Sequence, residues 1–206
     1  MRQHCHCSVF TQSNICNTAS LLLIYYFYNN SWLPQYHDMG LIVGIMAPFI
    51  GGYRMHYIAP TTFIRSPVLW LELMSRHKCH WTAAPDFAFA LCVRKFSEQQ
   101  KALERLRTKG NSSSASSGST LDLSSVRFMQ SGAEPIRTET VTQFETVFSK
   151  HGLPPHWFCA TYGMAESVVG VSYVFLGRGA KRGQVSHLLA CTSSFCSLNF
   201  NVLQLK

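Results

Sequence analysis

The segment SPVLWLELMSRHKCHWTAAPDFAFALCVRKF, residues 66–96, holds helix, strand and helix signals in immediate succession. Ser66 is a good N-cap, and Pro67 suits a first helical position, where its missing N–H costs nothing. Val68, Leu71 and the pair Leu69/Leu73 then build an apolar stripe with Trp70 and Met74 alongside, which predicts a helix. Cys79–Ala84 (CHWTAA) reads as a buried strand stopped by Pro85, and Asp86 can cap the next helix, FAFALCVRKF. A strand with a helix on either side demands an α/β fold.

The same rhythm extends in both directions. Upstream, Leu41–Ala47 suits a buried helix that Pro48 ends or kinks, and Arg54–Ala59 suits a strand. Downstream come a charged helix, Glu98–Lys109, and a low-complexity flexible loop, GNSSSASSGST (110–120). No lysine and no helix follow those serines at phosphate-loop spacing, so they form no phosphate cradle. Val126–Gln130 is a short strand ending in SGAEP, and Thr138–Lys150 is an amphipathic helix with Val141, Phe144, Val147 and Phe148 on one side. Trp157–Thr161 is a strand ending in YGMAES, and Val168–Val174 is a further apolar strand. Strands alternating with helices imply a mostly parallel sheet flanked by helices, with ligands gathering at the strands' carboxyl ends. Three motifs stand at such ends: APDF, SGAEP and YGMAE.

The chain divides into residues 1–30, which are Cys/His/Asn/Ser-rich; 31–175, which carry the α/β rhythm; and 176–206, which lose it. There is no internal repeat. With 47% hydrophobic and 14% charged residues, the 206-residue chain has material for a packed core. The net charge of +8 is spread thinly over Arg94, Lys95, Lys101, Arg105, Arg107 and Lys109, and over Arg178, Lys181 and Arg182. No basic stripe interleaved with aromatics accompanies it, so a solvated basic face is read, not a nucleic-acid surface. Of eight cysteines, Cys79, Cys92 and Cys159 sit in apolar segments as buried thiols, which fits a reducing, cytoplasmic setting. The HCHC tract at 4–7 has no second half at zinc-finger spacing. The apolar run LLLIYYFY (21–28) is shorter than the ~20 residues of a membrane span, so no transmembrane span is expected.

Three groups of residues could do chemistry. In SWLPQYHDMGL (31–41), His37 and Asp38 could be a dyad, half a metal site or a polar turn. In SGAEP, Gly132 and Ala133 let the backbone approach a flat ligand, and Glu134 and Pro135 enter the next helix. In YGMAES, Tyr162 offers an aromatic face, Gly163 a tight turn, and Glu166 a carboxylate able to hold a Mg²⁺ bound to nucleotide phosphate.

Taken together and in order, SWLPQYHDMGL, the segment from Ala59 to Phe96, LDLSSVRFMQSGAEPIRTETVTQFETVF and ATYGMAES resemble the adenylate-forming (AMP-binding) ligase superfamily, and within it the fatty-acyl-AMP ligases. The resemblance covers about residues 31–175 and implies part of an adenylation domain. It implies that a fatty-acid carboxylate attacks the α-phosphate of ATP, pyrophosphate leaves, and an acyl-adenylate stays bound, with Mg²⁺ as cofactor. On the matching motifs, His37 lies near the reacting phosphate, and Gly132, Ala133, Glu134 and Pro135 line the adenine pocket. Tyr162 packs on the adenine with Gly163, Met164 and Ala165 beside it, and Glu166 serves the Mg²⁺. Ala84, Pro85 and Phe87 contribute to the acyl tunnel wall. An acyl carrier protein or coenzyme A is the acceptor of the acyl group. The attacking carboxylate is already ionised near neutral pH, since carboxyl groups ordinarily titrate at a pKa of about 4. It needs no base, which turns His37 into a positioning group and Asp38 into a helix cap, the two side chains pointing apart.

The chain also departs from that pattern. The phosphate loop expected before the HDMGL motif has no counterpart in residues 1–30. The later aspartate, arginine and lysine motifs have none after YGMAE, and Asp86 stands where the family usually has asparagine. The expectation is a fragment of an adenylation domain that is inactive and poorly soluble alone. The alternatives are a non-catalytic acyl- or nucleotide-binding remnant, or an acyl-CoA synthetase.

Overall fold

A computed structural model describes residues 28–108 and 121–173. The HCHC tract, the run at 21–27, the serine loop and the tail from 176 lie outside the described residues.

The strands are β1 (Tyr28–Ser31), β2 (Arg54–Tyr57), β3 (Trp81–Ala84), β4 (Phe128–Ser131), β5 (Phe158–Tyr162) and β6 (Ser172–Tyr173). They form one sheet in the order β2-β1-β3-β4-β5-β6. The first five are parallel, and β6 pairs antiparallel with β5. Each parallel pair needs a crossover, and the helices supply it. They are α1 (Met39–Met46), α2 (Ala47–Gly51), α3 (Pro60–Arg65), α4 (Val68–Arg76), α5 (Asp86–Thr108) and α6 (Thr138–Phe148). The expected α/β architecture is present.

Hydrogen bonds show how the layers meet. Trp70 Nε1–H on α4 donates to Thr82 Oγ1 at 3.2 Å, and that hydroxyl donates to the Asn30 carbonyl at 2.7 Å. Thr82 pairs in register with Asn30, so both side chains look toward α4. Ser31, the next residue of β1, looks the other way, and Gly44 of α1 lies over its hydroxyl. Helices therefore cover both faces at β1. On the α4 side, Phe89, Phe144 and Trp157 form an aromatic triangle with ring centroids 4.8–5.7 Å apart. Trp32 stacks on Phe63 at 3.8 Å, and Trp70 meets both edge-on.

Several elements differ from expectation. The first helix begins at Met39, not Leu41, and is wound wide: the Ala47 N–H reaches back five residues to the Ile42 carbonyl. The wide turn takes up the ring of Pro48, so the chain continues into α2 instead of ending. That helix is not buried among the described residues, since Leu41, Met46, Phe49 and Ile50 are exposed. Ser66 makes no side-chain cap at α4. There Trp70 and Met74 are buried in full with Val68 and Leu71, while Leu69 and Leu73 are half-buried.

The two helices expected between residues 87 and 109 are one, α5. No glycine or proline interrupts it, and a Lys95–Glu98 ion pair of 2.8 Å bridges the expected junction. Within the run Val168–Val174, the described residues are mostly a turn. Val168 and Val169 take positive φ, the Val171 N–H returns to the Tyr162 carbonyl, and only Ser172–Tyr173 are extended.

Candidate functional site

The carboxyl ends of β1, β4 and β5 converge on a cavity of about 200 Å³. It is lined by His37, Asp38, Met39 and Val43 from the turn after β1 and from α1; by Gln130, Gly132 and Ala133 at the end of β4; and by Thr161, Tyr162, Gly163 and Val169 around the end of β5. Three motifs spread over about 125 residues of chain, from His37 to Tyr162, thus meet because their strands are parallel and end on the same side of the sheet.

Local packing holds each wall. A Cβ on Gly132 would lie 2.6 Å from Thr161 Oγ1 and 2.8 Å from the Thr161 carbonyl, so only glycine lets the β4 turn lie against β5. Thr161 Oγ1 in turn donates to the Ser131 carbonyl at 3.1 Å. Gly163 sits where a Cβ would overlap the Val169 carbonyl, and the Val169 N–H donates to the Met164 carbonyl. These contacts fold residues 163–169 into the compact turn behind Tyr162.

On the third wall, His37 Nδ1 lies 2.7 Å from Asp38 Oδ1. The Met39 N–H donates to the same Asp38 oxygen at 2.7 Å, which is the expected cap. The two side chains do not point apart. Residues 32–38 form a turn, not a strand, so alternation between faces does not apply to them.

Of the residues expected at a site, His37, Gly132, Ala133, Tyr162 and Gly163 line this one cavity. Glu134, Pro135, Met164, Ala165 and Glu166 stand next to it in sequence without lining it. Glu134 Oε1 instead accepts the Phe87 N–H at 2.6 Å. Glu166 is exposed on a short turn, Ala165–Ser167. Ala84, Pro85 and Phe87 are elsewhere: Ala84 is buried in the sheet, and Phe87 lies edge-on to Trp32 at 5.9 Å. Sequence reasoning missed Gln130 and Thr161 as lining residues. Each is the second residue before a strand's glycine turn, and that position was the available signal. Among the described residues, no three His, Cys, Asp or Glu side chains gather as a metal site.

Residues 8–194 match the profile of a family described as AMP-binding enzyme. This chain belongs to that family. As an AMP-binding enzyme chain it is 39% identical over 139 residues to the probable long-chain-fatty-acid–AMP ligase FadD30 of Mycobacterium tuberculosis, covering 68% of this chain and 21% of the relative. It is 32% identical over 161 residues to the medium-chain-fatty-acid–[acyl-carrier-protein] ligase TtuA of Teredinibacter turnerae, covering 78% of this chain and 22% of that protein. Among solved structures, the fatty acid AMP ligase of Legionella pneumophila superposes with a TM-score of 0.64 at 29% identity, over 81% of this chain and 26% of that one. The chain spans about a fifth of the length of the FadD30 and TtuA proteins.

Proposed function

We propose that this AMP-binding enzyme chain forms one part of a fatty-acid adenylation site, in which ATP and a fatty acid give an acyl-adenylate and pyrophosphate. One observation carries the reading: the HDM, GA and TYG segments line a single cavity at the carboxyl ends of parallel strands. The similarity to FadD30 and to the Legionella ligase supports it. On this reading residues 31–175 carry a partial adenylation domain with a serine-rich insertion at 110–120, and the family match at 8–194 runs beyond both of those bounds.

The residues present fit part of a nucleotide. Gly132 brings backbone within reach of a flat ring, and Tyr162 supplies an aromatic face. At about 200 Å³ the cavity is smaller than the roughly 300–1,000 Å³ of a complete ligand site, so these walls enclose one end of the ligand. Gly132, Ala133, Tyr162 and Gly163 bind the base, and His37 orients the reacting phosphate. Glu166, exposed on the turn beside the cavity, would supply one carboxylate to a Mg²⁺. When bound, that ion would neutralise phosphate charge. The chain's own contribution is positioning, because an ionised carboxylate needs no base.

The acceptor is an acyl carrier protein, as the name of TtuA has it for that protein, or coenzyme A. A cytoplasmic location accords with the buried thiols of Cys79 and Cys92 among the described residues. Among the described residues no helix is long and apolar enough to cross a membrane.

ATP–pyrophosphate exchange with medium- and long-chain fatty acids tests the reading, on this chain and on one extended to the length of FadD30. Exchange in the extended protein is expected. Nucleotide binding without exchange in both would favour a non-catalytic remnant.

A further inference from the structure

Beside the cavity two helices begin, and each has its first turn closed by a side chain from the other. The Phe87 N–H is one of the donors that the start of α5 leaves without an intrahelical partner. Glu134, on the turn before α6, accepts it at 2.6 Å. In return Asp86, the first residue of α5, reaches the start of α6. Its Oδ1 accepts the Arg137 N–H at 3.2 Å, and its Oδ2 accepts Arg137 Nε–H at 2.8 Å and the Thr140 hydroxyl at 3.1 Å. A capping box does this within one helix; here its two halves belong to different helices.

The segment between α5 and α6 that this clasp holds includes the cavity wall. Ala133 lines the cavity at φ +68°, a left-handed conformation that costs an L-residue roughly 1–2 kcal/mol. On one side Gly132 is pressed against Thr161. On the other side Glu134 and Arg137 are tied to α5, so the strained residue is pinned between two fixed points.

The chemistry at position 86 calls for a carboxylate. Asp86 is 1% exposed, and a carboxylate so sheltered needs its oxygens engaged and a cation nearby. Arg137 supplies the charge. An asparagine there has one acceptor oxygen and an amide NH₂ that cannot accept from Arg137 Nε–H, so the side-chain contact would fail.

The geometry points to Asp86 as a positioning residue that, through Arg137 and together with Glu134, holds the Gly132–Ala133 turn in its ligand-binding shape. That the ligand is a nucleotide rests on the function proposed above; the clasp itself does not.

Amide hydrogen exchange on the full 206-residue chain, paired with ATP binding by calorimetry, tests it. Asp86→Asn is expected to speed exchange in residues 131–137 at least tenfold, to leave β3 and the middle of α5 unchanged, and to weaken ATP binding at least fivefold. Adding Arg137→Ala to Asp86→Asn is expected to bring little further change. Unchanged exchange at 131–137, or a uniform rise along the chain, would overturn the proposal. Should Asp86→Asn not fold, Thr140→Val removes a single bond and must show the same local pattern in smaller measure; its absence overturns the clasp. If the wild-type chain binds no ATP, ATP binding is read on the chain extended to the length of FadD30, and amide exchange on the 206-residue chain alone decides the clasp.

Discussion

The Nδ1 of His37 lies 2.7 Å from Oδ1 of Asp38 at the mouth of the cavity. The Met39 N–H stands between them and donates to both, at 2.7 Å to the carboxylate and at 3.2 Å to the ring nitrogen. Nδ1 thus serves as an acceptor inside the turn, and the Nε2 edge is left for a ligand.

Nitrogen-15 spectra of histidine-labelled protein are accordingly expected to show His37 as the Nε2–H tautomer. A spectrum of the Nδ1–H form would show instead that the ring donates to Asp38. In the extended ligase, His37→Ala is expected to lower pyrophosphate exchange about 10²-fold. Because the ring is half exposed, stability should change by no more than roughly 0.5 kcal/mol. An unchanged exchange rate would remove His37 from the site.

Two phenylalanines at the start of α5 separate core from surface. Phe89 is 1% exposed within the Phe144–Trp157 triangle, whereas Phe87 is 38% exposed. Phe89→Ala is expected to cost about 3–5 kcal/mol in urea unfolding, and Phe87→Ala clearly less. Equal losses would mean that the triangle is not the centre of the core.

These aromatics also show what a single sequence discloses. The spacing of Phe89, Phe144 and Phe148 marks buried helix faces, and the strand-ending glycine turns mark where a ligand belongs, so the parallel sheet and three walls of the cavity were legible. The role of Asp86 was not. It reads as a local cap, yet its partners Arg137 and Thr140 lie some fifty residues away, and local pattern carries no record of that pairing. The valines at 168–171 misled for a related reason: their β propensity yields to the return of Val171 N–H to Tyr162, which forces a turn.

Alkaline pH should destabilise the chain. Burial pushes the Cys79 thiol up to about 12 from its ordinary 9.0. Burial also raises Cys92, and it raises Tyr53 with a further push from Tyr57. Above pH 9 the unfolded chain sheds these protons while the folded chain keeps them. The stability they contribute is thus complete below pH 9 and lost as pH climbs toward 12. Each withheld proton steepens the decline by about 1.4 kcal/mol per pH unit. Urea unfolding between pH 8 and 11 should show this slope, and Cys79→Ala should reduce it. A flat profile would indicate that these groups ionise in the folded state.

The outer face of α1 and α2 has a consequence for association. Phe49 is 83% and Ile50 62% exposed, and Leu41, Met46 and Ile64 are exposed as well. Covering a side chain of this size is worth about 1.5–3 kcal/mol, so joining two such faces supplies a strong drive to self-association. Phe49→Glu with Ile50→Glu removes two of those side chains and adds repelling charge. Sedimentation velocity should show the wild-type chain associating and the double variant shifted toward monomer, with a dissociation constant at least 10²-fold weaker. Both residues are solvent-facing and lie outside the aromatic core, so helical circular dichroism should be preserved. If the double variant associates as the wild type does, contacts elsewhere on the chain hold the assembly together.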